Sequence, residues 1–190
     1  MRSTLALVLA VAAAACGGKK DPAKDPPATT QGTAATPAKP AAAELATAAE
    51  PTGLTWKAVE QPFGSVELPT GDGWEIVEGQ LEGKDGTVVM MQSQAGIAPD
   101  QMDEYLASYD EVQRRDAPKY AGKPAVKGVV GGAPAARVEG AFDNGTRFVT
   151  RDYLIFAKGK VVLLSARAPE ASAAGLPGVI DHVARSAAIK

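Results

Sequence analysis

The chain has 190 residues, which leaves room for one domain plus extensions. Its formal net charge of -2 gives no general attraction to nucleic acid, and a content of 5% aromatic residues allows only a modest core. The single cysteine, Cys16, excludes an internal disulfide.

Residues 1–15 have the pattern of a secretory signal. Arg2 supplies the positive start, and residues 5–15 form an apolar run. A helix that crosses the hydrocarbon core needs about 20 apolar residues, so this run is too short to remain as a transmembrane anchor. We predict a signal peptide that is removed from the mature protein.

Cys16 follows this run directly, in the sequence Ala13-Ala14-Ala15-Cys16. This stretch resembles a bacterial lipobox, although Ala13 stands where a bulkier aliphatic residue is usual. The resemblance implies that Cys16 becomes the acylated N-terminus, carrying at least two acyl chains, and two chains hold a protein stably on a membrane. Gly17 replaces the aspartate that retains lipoproteins at the inner membrane in the best-known sorting rule, which implies the periplasmic face of the outer membrane. The alternatives are an uncleaved signal or an ordinary cleavage before Cys16.

Residues 16–53 are rich in Pro, Ala, Thr and Lys and contain almost no large apolar side chain. Such a segment cannot bury enough surface to offset its ordering entropy, so we expect a disordered linker. As a flexible coil it would reach roughly 35 Å. An alanine-rich stretch, residues 41–49, is too short to persist as an isolated helix.

Residues 54–190 are predicted to form one domain, which begins with strands. Alternating runs at residues 55–59, 64–68 and 74–82 predict three of them, and Asp85-Gly86 predicts a hairpin turn into residues 87–93.

A helix is predicted to start at Pro99. Its apolar face recurs at helical spacing, through Met102, Tyr105, Leu106, Tyr109 and Val112.

The second half of the domain repeats this order of strands and then a helix. Strands are predicted at residues 126–130 and 135–142, and Asp143-Asn144-Gly145 is a strong hairpin signal before two long apolar strands. A final helix directs Leu176, Val179, Ile180 and Val183 inward, with Asp181 and Arg185 paired on its outer side. The predicted fold class is α+β, an antiparallel sheet with helices packed on it.

Three segments carry a further resemblance: "FGSVELPTGDGWEI", "TRDYLIFAKGKVVLLSARAPEA" and "GVIDHVARSAAI". They are similar to the opening strand and Gly-Trp turn, the later hairpins and the final helix of the PsbP/DcrB-like superfamily. The resemblance implies an α/β/α sandwich, often exported or membrane-anchored, with binding or accessory roles and no shared catalytic residues.

The sequence offers little for catalysis. A hydrolytic triad needs a base beside its nucleophile, and His182 is the only histidine; on the last helix it is expected to lie at the solvent-facing flank. Ser165 and Ser186 lack the Gly-x-Ser-x-Gly turn of a nucleophile elbow. One histidine and one acylated cysteine make a poor metal site, so neither an enzyme, a metal nor a cofactor is predicted.

Two charge clusters remain. The early strands are acidic, and a basic stretch begins at the end of the first helix and continues beyond it. We predict that this stretch docks an anionic partner, either an envelope protein or an anionic polymer, with an aromatic ring adding an apolar contact. Its residues are Arg114, Arg115, Lys119, Tyr120, Lys123 and Lys127.

The sequence therefore predicts a lipid-anchored envelope protein with a non-catalytic binding or accessory domain. The acyl chains on Cys16 attach it to the membrane, and no nucleic-acid partner is predicted. The alternative function is carriage of a small apolar ligand between the sheet and a helix.

Overall fold

The computed structural model describes residues 41–71, 73–77 and 80–190. Cys16, the predicted signal peptide and most of the predicted linker lie outside this part of the chain. The described residues form eleven strands and two α-helices. In chain order these are β1 (Thr55–Gln61), β2 (Gly64–Thr70), β3 (Trp74–Val77), β4 (Gln80–Gly83), β5 (Val88–Ala95), α1 (Met102–Asp116), β6 (Ala121–Gly122), β7 (Val126–Val130), β8 (Ala133–Asp143), β9 (Arg147–Ala157), β10 (Lys160–Pro169), α2 (Leu176–Ser186) and β11 (Ala188–Ile189).

Two antiparallel sheets result. The larger sheet has the order β3-β4-β5-β10-β9-β8-β6, and β7 also pairs with β8. The smaller sheet has the order β1-β2-β11. Tight turns make most of these connections: Lys158 and Gly159, with φ of 54° and 70°, join β9 to β10 as two-residue hairpins require.

The central strands are covered on both faces, as their continuous apolar runs predict. Leu154, Ile155 and Phe156 on β9 are buried, and so are Val161 and Val162 on β10. Successive residues of a strand point to opposite faces, so two separate layers must cover this sheet.

Helix α1 covers one face and α2 the other. The Tyr105 ring of α1 meets the Phe156 ring edge-on, with centroids 6.0 Å apart. On the opposite face, Val179, Ile180 and Val183 of α2 lie in the main apolar core. The predicted α+β class, with helices on both sides of an antiparallel sheet, is confirmed.

Residues 74–82 were predicted to form one strand and instead form two. Trp74 pairs with Gly83 and Val77 with Gln80, so β3 and β4 are an antiparallel hairpin. Apolar residues occur on both strands, Trp74, Ile76 and Val77 on β3 and Leu81 on β4, and the pattern alone therefore does not separate the strands.

The segment before β1 also differs from a free linker. Residues 41–53 belong to the same compact unit as the rest of the described chain, although the sequence places the start of the domain at residue 54. Leu45 and Ala46 are 3% and 1% exposed. We call residues 43–50 the strap.

Candidate functional site

The strap extends the larger sheet beside β7. The Leu45 N–H donates to the Val129 carbonyl oxygen, and the Val129 N–H donates to the Ala43 carbonyl oxygen, both at 2.9 Å. Glu44 and Val129 form a parallel bridge. The strap therefore covers a strand edge whose backbone groups would otherwise lack partners in the sheet.

Two arginines bind carbonyl oxygens of the strap. Arg137 Nη1 donates to the Leu45 carbonyl oxygen at 3.0 Å. Arg185 Nη1 donates to the carbonyl oxygens of Ala46 at 2.9 Å and Ala48 at 3.0 Å. These hydrogen bonds are made to backbone atoms of the strap and not to its side chains.

Asp181 of α2 lies at the centre of the site and is fully buried. Its Oδ2 accepts a hydrogen bond from the Ala48 N–H at 2.8 Å. Its Oδ1 lies 2.7 Å from Tyr153 Oη and 3.2 Å from Arg151 Nε. Arg151 thus balances the buried carboxylate from within the domain, as a charge removed from water requires.

Tyr153 lies between Asp181 and the strap. Its Oη is also 3.1 Å from the Leu45 carbonyl oxygen. The hydroxyl has a single proton, which it donates to the closer acceptor, the Asp181 carboxylate. Burial, followed by the hydrogen bond to Asp181, raises the pKa of Tyr153 to about 12. The phenol therefore remains a neutral donor at physiological pH.

Two glycines admit the strap at close range. A Cβ atom on Gly128 of β7 would overlap the Ala43 carbonyl oxygen. A Cβ atom on Gly178 would lie 2.7 Å from the Ala49 carbonyl oxygen. Gly178 lies in the first turn of α2, and glycine is a weaker helix former than alanine, so the small residue at this position is explained by the space that the strap needs. We call the surface formed by β7, Arg137, Tyr153 and α2 the strap groove.

His182 lies at the far end of the strap groove, and its predicted position at a solvent-facing flank is wrong. It is 9% exposed, because β1 and β2 cover the side of α2 that the helical period leaves outward. Its ring stacks on Trp56 with centroids 3.7 Å apart. Nε2 lies 2.9 Å from Glu67 Oε2, while Nδ1 is 2.9 Å from Glu50 Oε1 without the alignment of a hydrogen bond.

The outward Asp181–Arg185 pair predicted from the helix pattern is also wrong. Asp181 pairs with Arg151 on β9, and Arg185 faces Glu50 at 3.6 Å. Both side chains lie in the strap groove and form hydrogen bonds with the strap.

Neither serine considered as a nucleophile is bonded to His182. Ser165 Oγ donates to Asp152 Oδ1 at 2.6 Å, on the α1 face of the sheet. Ser186 Oγ donates to the Val183 carbonyl oxygen and accepts from the Glu67 N–H, both at 2.9 Å. These hydroxyls have structural partners.

The basic residues at the end of α1 and beyond it each face a carboxylate. Four of the pairs join nitrogen and oxygen atoms 2.6 to 3.1 Å apart, and Lys127 contacts Asp103 as the fifth. The pairs are Arg114–Asp110, Arg115–Asp116, Lys119–Asp143, Lys123–Glu139 and Lys127–Asp103. The stretch is therefore not a patch of uncompensated positive charge.

Tyr120 points inward from this stretch and is 9% exposed. Its ring fills the space above Gly122 and Gly140, where a Cβ atom would lie 2.8 and 2.7 Å from ring carbons. Burial raises its pKa to about 12. Its ring belongs to the packing beneath α1 and offers no apolar contact at the surface.

A second buried polar cluster lies beneath α1. Asp152 accepts hydrogen bonds from Tyr109 Oη at 2.9 Å and from Ser165 Oγ at 2.6 Å. Burial raises the pKa of Asp152 to about 6, despite these two donors. No cationic side chain is among the hydrogen-bond partners found for Asp152 in the described chain.

A surface depression of about 290 Å³ lies on the β3–β4 hairpin. It is not between the sheet and a helix, where the alternative ligand was predicted. Within residues 41–71, 73–77 and 80–190, no group of three or more His, Cys, Asp or Glu side chains has the arrangement of a metal site. Among the same residues, no helix has the length and apolar content needed to span a membrane.

Sequence reasoning missed the strap because the strap is recognised mainly through its backbone. Two signals are present in the sequence. The first is Leu45, the sole large apolar residue within residues 41–53. A glycine inside an amphipathic helix, Gly178, is the second signal, since such a glycine often marks the close approach of another backbone.

Comparison with known proteins identifies no matching family model and no matching curated protein. Solved structures do match. A protein of unknown function from Pseudomonas aeruginosa is 12% identical, with 72% of this chain and 97% of that chain covered and a TM-score of 0.50. At this identity the likeness shows the fold alone.

Two further structures are similar over comparable lengths. LpqN from Mycobacterium tuberculosis, described as involved in cell envelope biogenesis, is 15% identical, with 70% of this chain and 89% of that chain covered and a TM-score of 0.45. Cyanobacterial PsbP from Synechocystis is 13% identical, with 72% and 93% covered and a TM-score of 0.46.

Proposed function

We propose that this protein is a lipid-anchored component of the cell envelope whose domain has a non-catalytic binding or accessory role. The anchor is the acylated Cys16, and the periplasmic face of the outer membrane is the proposed location. The observation that supports a binding role best is the strap groove, in which buried polar groups of the domain hold an extended segment of chain.

The arrangement of the described side chains supports a non-catalytic role. His182 stacks on Trp56 and lies between two glutamates, whereas Ser165 and Ser186 are bonded elsewhere. A nucleophile, a base and an orienting group are therefore not brought together at this histidine.

The strap groove is a better candidate for partner binding than the basic stretch. Each of the five cations already faces an acidic side chain, so the basic stretch presents little net positive charge to attract an anionic partner. Exposed pairs of this kind contribute about 0–1 kcal/mol each, so they are consistent with a solvated surface.

We expect Cys16→Ser to release the protein from the membrane fraction or to leave an unprocessed precursor. The serine hydroxyl cannot replace the thiol in the lipobox reaction, and without two acyl chains membrane attachment is marginal at best. Cell fractionation and incorporation of labelled palmitate measure this result. Normal processing and attachment of the Cys16→Ser variant would contradict the proposed anchor.

We expect Gly17→Asp to move the lipoprotein towards the inner membrane if the sorting rule applies. Separation of the two membranes on a density gradient measures the shift, and Gly17→Ser is the matched control. An unchanged distribution of the aspartate variant would remove the sorting argument for the outer membrane while leaving the anchor itself intact.

A further inference from the structure

The strap groove is built so that an occupant can leave without stranding a buried charge. Asp181 keeps its contacts with Arg151 at 3.2 Å and with Tyr153 at 2.7 Å, and both partners lie on β9. Only the hydrogen bond from the Ala48 N–H is lost with the strap. The negative charge of the Asp181 carboxylate is thus compensated by groups of the domain even when the strap is absent.

The groove recognises an extended backbone. Val129, Arg137, Asp181 and Arg185 all bond to backbone atoms of the strap, and Gly128 and Gly178 clear the path of that backbone. Recognition of this kind, in which a segment adds to a strand edge and side-chain pockets confer selectivity, is a general mode of peptide binding.

Three features of the strap define the side chains that fit. Leu45 fills an apolar pocket of the core, and the residues that follow it are small, with Ala46 1% exposed. Glu44 Oε2 accepts a hydrogen bond from the Gly131 N–H at 3.2 Å. Glu50 lies against His182 and Arg185, so the groove fits a carboxylate just before the leucine and another five residues after it.

We propose that the strap groove is a peptide-binding site that the chain fills with its own strap, and that an extended partner segment of the same chemistry displaces it. This inference rests on the binding role proposed above and names its site. The partner segment carries a leucine, small residues after it, and carboxylates at the two flanking positions. The covalently linked strap competes at a high effective concentration, so the partner binds tightly only when the strap is weakened.

The test uses the full chain and a fluorescent peptide with the sequence of residues 41–52, AAAELATAAEPT. In Leu45→Asp the chain's own strap loses its apolar contact and the groove is unchanged. We expect this variant to bind the peptide at least roughly tenfold more tightly than the unmodified chain, as measured by fluorescence anisotropy. A peptide with aspartate at the leucine position should not bind.

Gly178→Ala provides the matched control for the groove. Alanine favours the helix, but its Cβ atom would lie 2.7 Å from the Ala49 carbonyl oxygen. Adding it to Leu45→Asp should abolish peptide binding while circular dichroism shows a folded protein. A folded Leu45→Asp variant that binds neither peptide would overturn the proposal, and so would a stable strand-exchanged dimer in place of peptide binding, because the groove would then serve a second copy.

If Leu45→Asp fails to fold, amide hydrogen exchange of the unmodified chain tests whether the strap leaves the groove while the rest of the domain stays folded. The Leu45 and Ala48 amides should exchange through local opening, faster than the buried amides of β9 and β10. Exchange of all these amides at one common rate would show that the strap leaves only on global unfolding, which overturns the proposal. Normal membrane attachment in the same preparation separates this failure from a failure of the proposed anchor.

Discussion

We expect Asp181→Ala to lower the free energy of unfolding by about 3–5 kcal/mol, the usual effect of breaking a buried ion pair on one side. The variant leaves the Arg151 side chain, which is 12% exposed, with Glu139 at 3.8 Å as its remaining carboxylate neighbour. It also removes the acceptor of the Ala48 N–H. Urea denaturation monitored by circular dichroism measures the change.

A double variant separates the loss of charge balance from the loss of volume. Adding Arg151→Met to Asp181→Ala removes the unpaired cation, so the double variant should be more stable than the sum of the single changes by about 1 kcal/mol or more. Asp110→Ala, which breaks an exposed pair with Arg114, is the surface control and should cost less than about 1 kcal/mol. Equal losses for Asp181→Ala and Asp110→Ala would contradict a structural role for the buried carboxylate.

The second large effect concerns Asp152 and pH. Burial raises the pKa of this carboxyl from 3.8 to about 6 in the folded protein, so between these values the folded state binds the extra proton. Its contribution to stability is fully present below about pH 4 and is lost as pH rises through 6. The size of this pH-dependent contribution is about 3 kcal/mol, from 1.36 kcal/mol per pH unit of pKa difference.

Asp152→Asn should remove this pH dependence. The amide is uncharged at every pH, and it can still bond to the hydroxyls of Tyr109 and Ser165. We therefore expect the unmodified chain to lose about 3 kcal/mol of unfolding free energy, relative to Asp152→Asn, when the pH is raised from 4 to 7. Urea denaturation of both proteins at each pH measures this change.

Asp143→Asn gives the opposite sign and serves as its control. Hydrogen bonds from the Gly145 N–H and the Lys119 ammonium lower the pKa of Asp143, so its contribution is present at neutral pH and lost as pH falls through the lowered pKa. A pH profile of Asp152→Asn that parallels that of the unmodified chain would show that the carboxyl is not protonated on folding.

The β8–β9 and β9–β10 hairpins and both helices are predictable because their signals are local. Asp143-Asn144-Gly145 directs the turn between β8 and β9, and the helical spacing of Tyr105 and Tyr109 identifies the face of α1 that is buried. Such patterns depend on residues within one or two turns of each other. They specify the elements, and antiparallel hairpins then specify most of the larger sheet.

The strap groove depends on contacts that no local pattern encodes. His182 is covered by β1 and β2, far away in sequence, and the helical period of α2 alone therefore misplaces it. The partners of the three lysines are likewise distant, 16 to 24 positions away in the chain, as with Lys123 and Glu139. The strap has the composition of a linker because backbone atoms, which every residue has, make most of its bonds.

The position of α2 in the chain has a consequence for the order of folding. Its contacts with the strap join residues 133 and 139 positions apart, Ala48 with Asp181 and Ala46 with Arg185, whereas β8, β9 and β10 pair through adjacent hairpins. Local pairings form before distant ones, because long loops must close first. During synthesis the strap is therefore among the first of the described segments to be made and among the last to be seated.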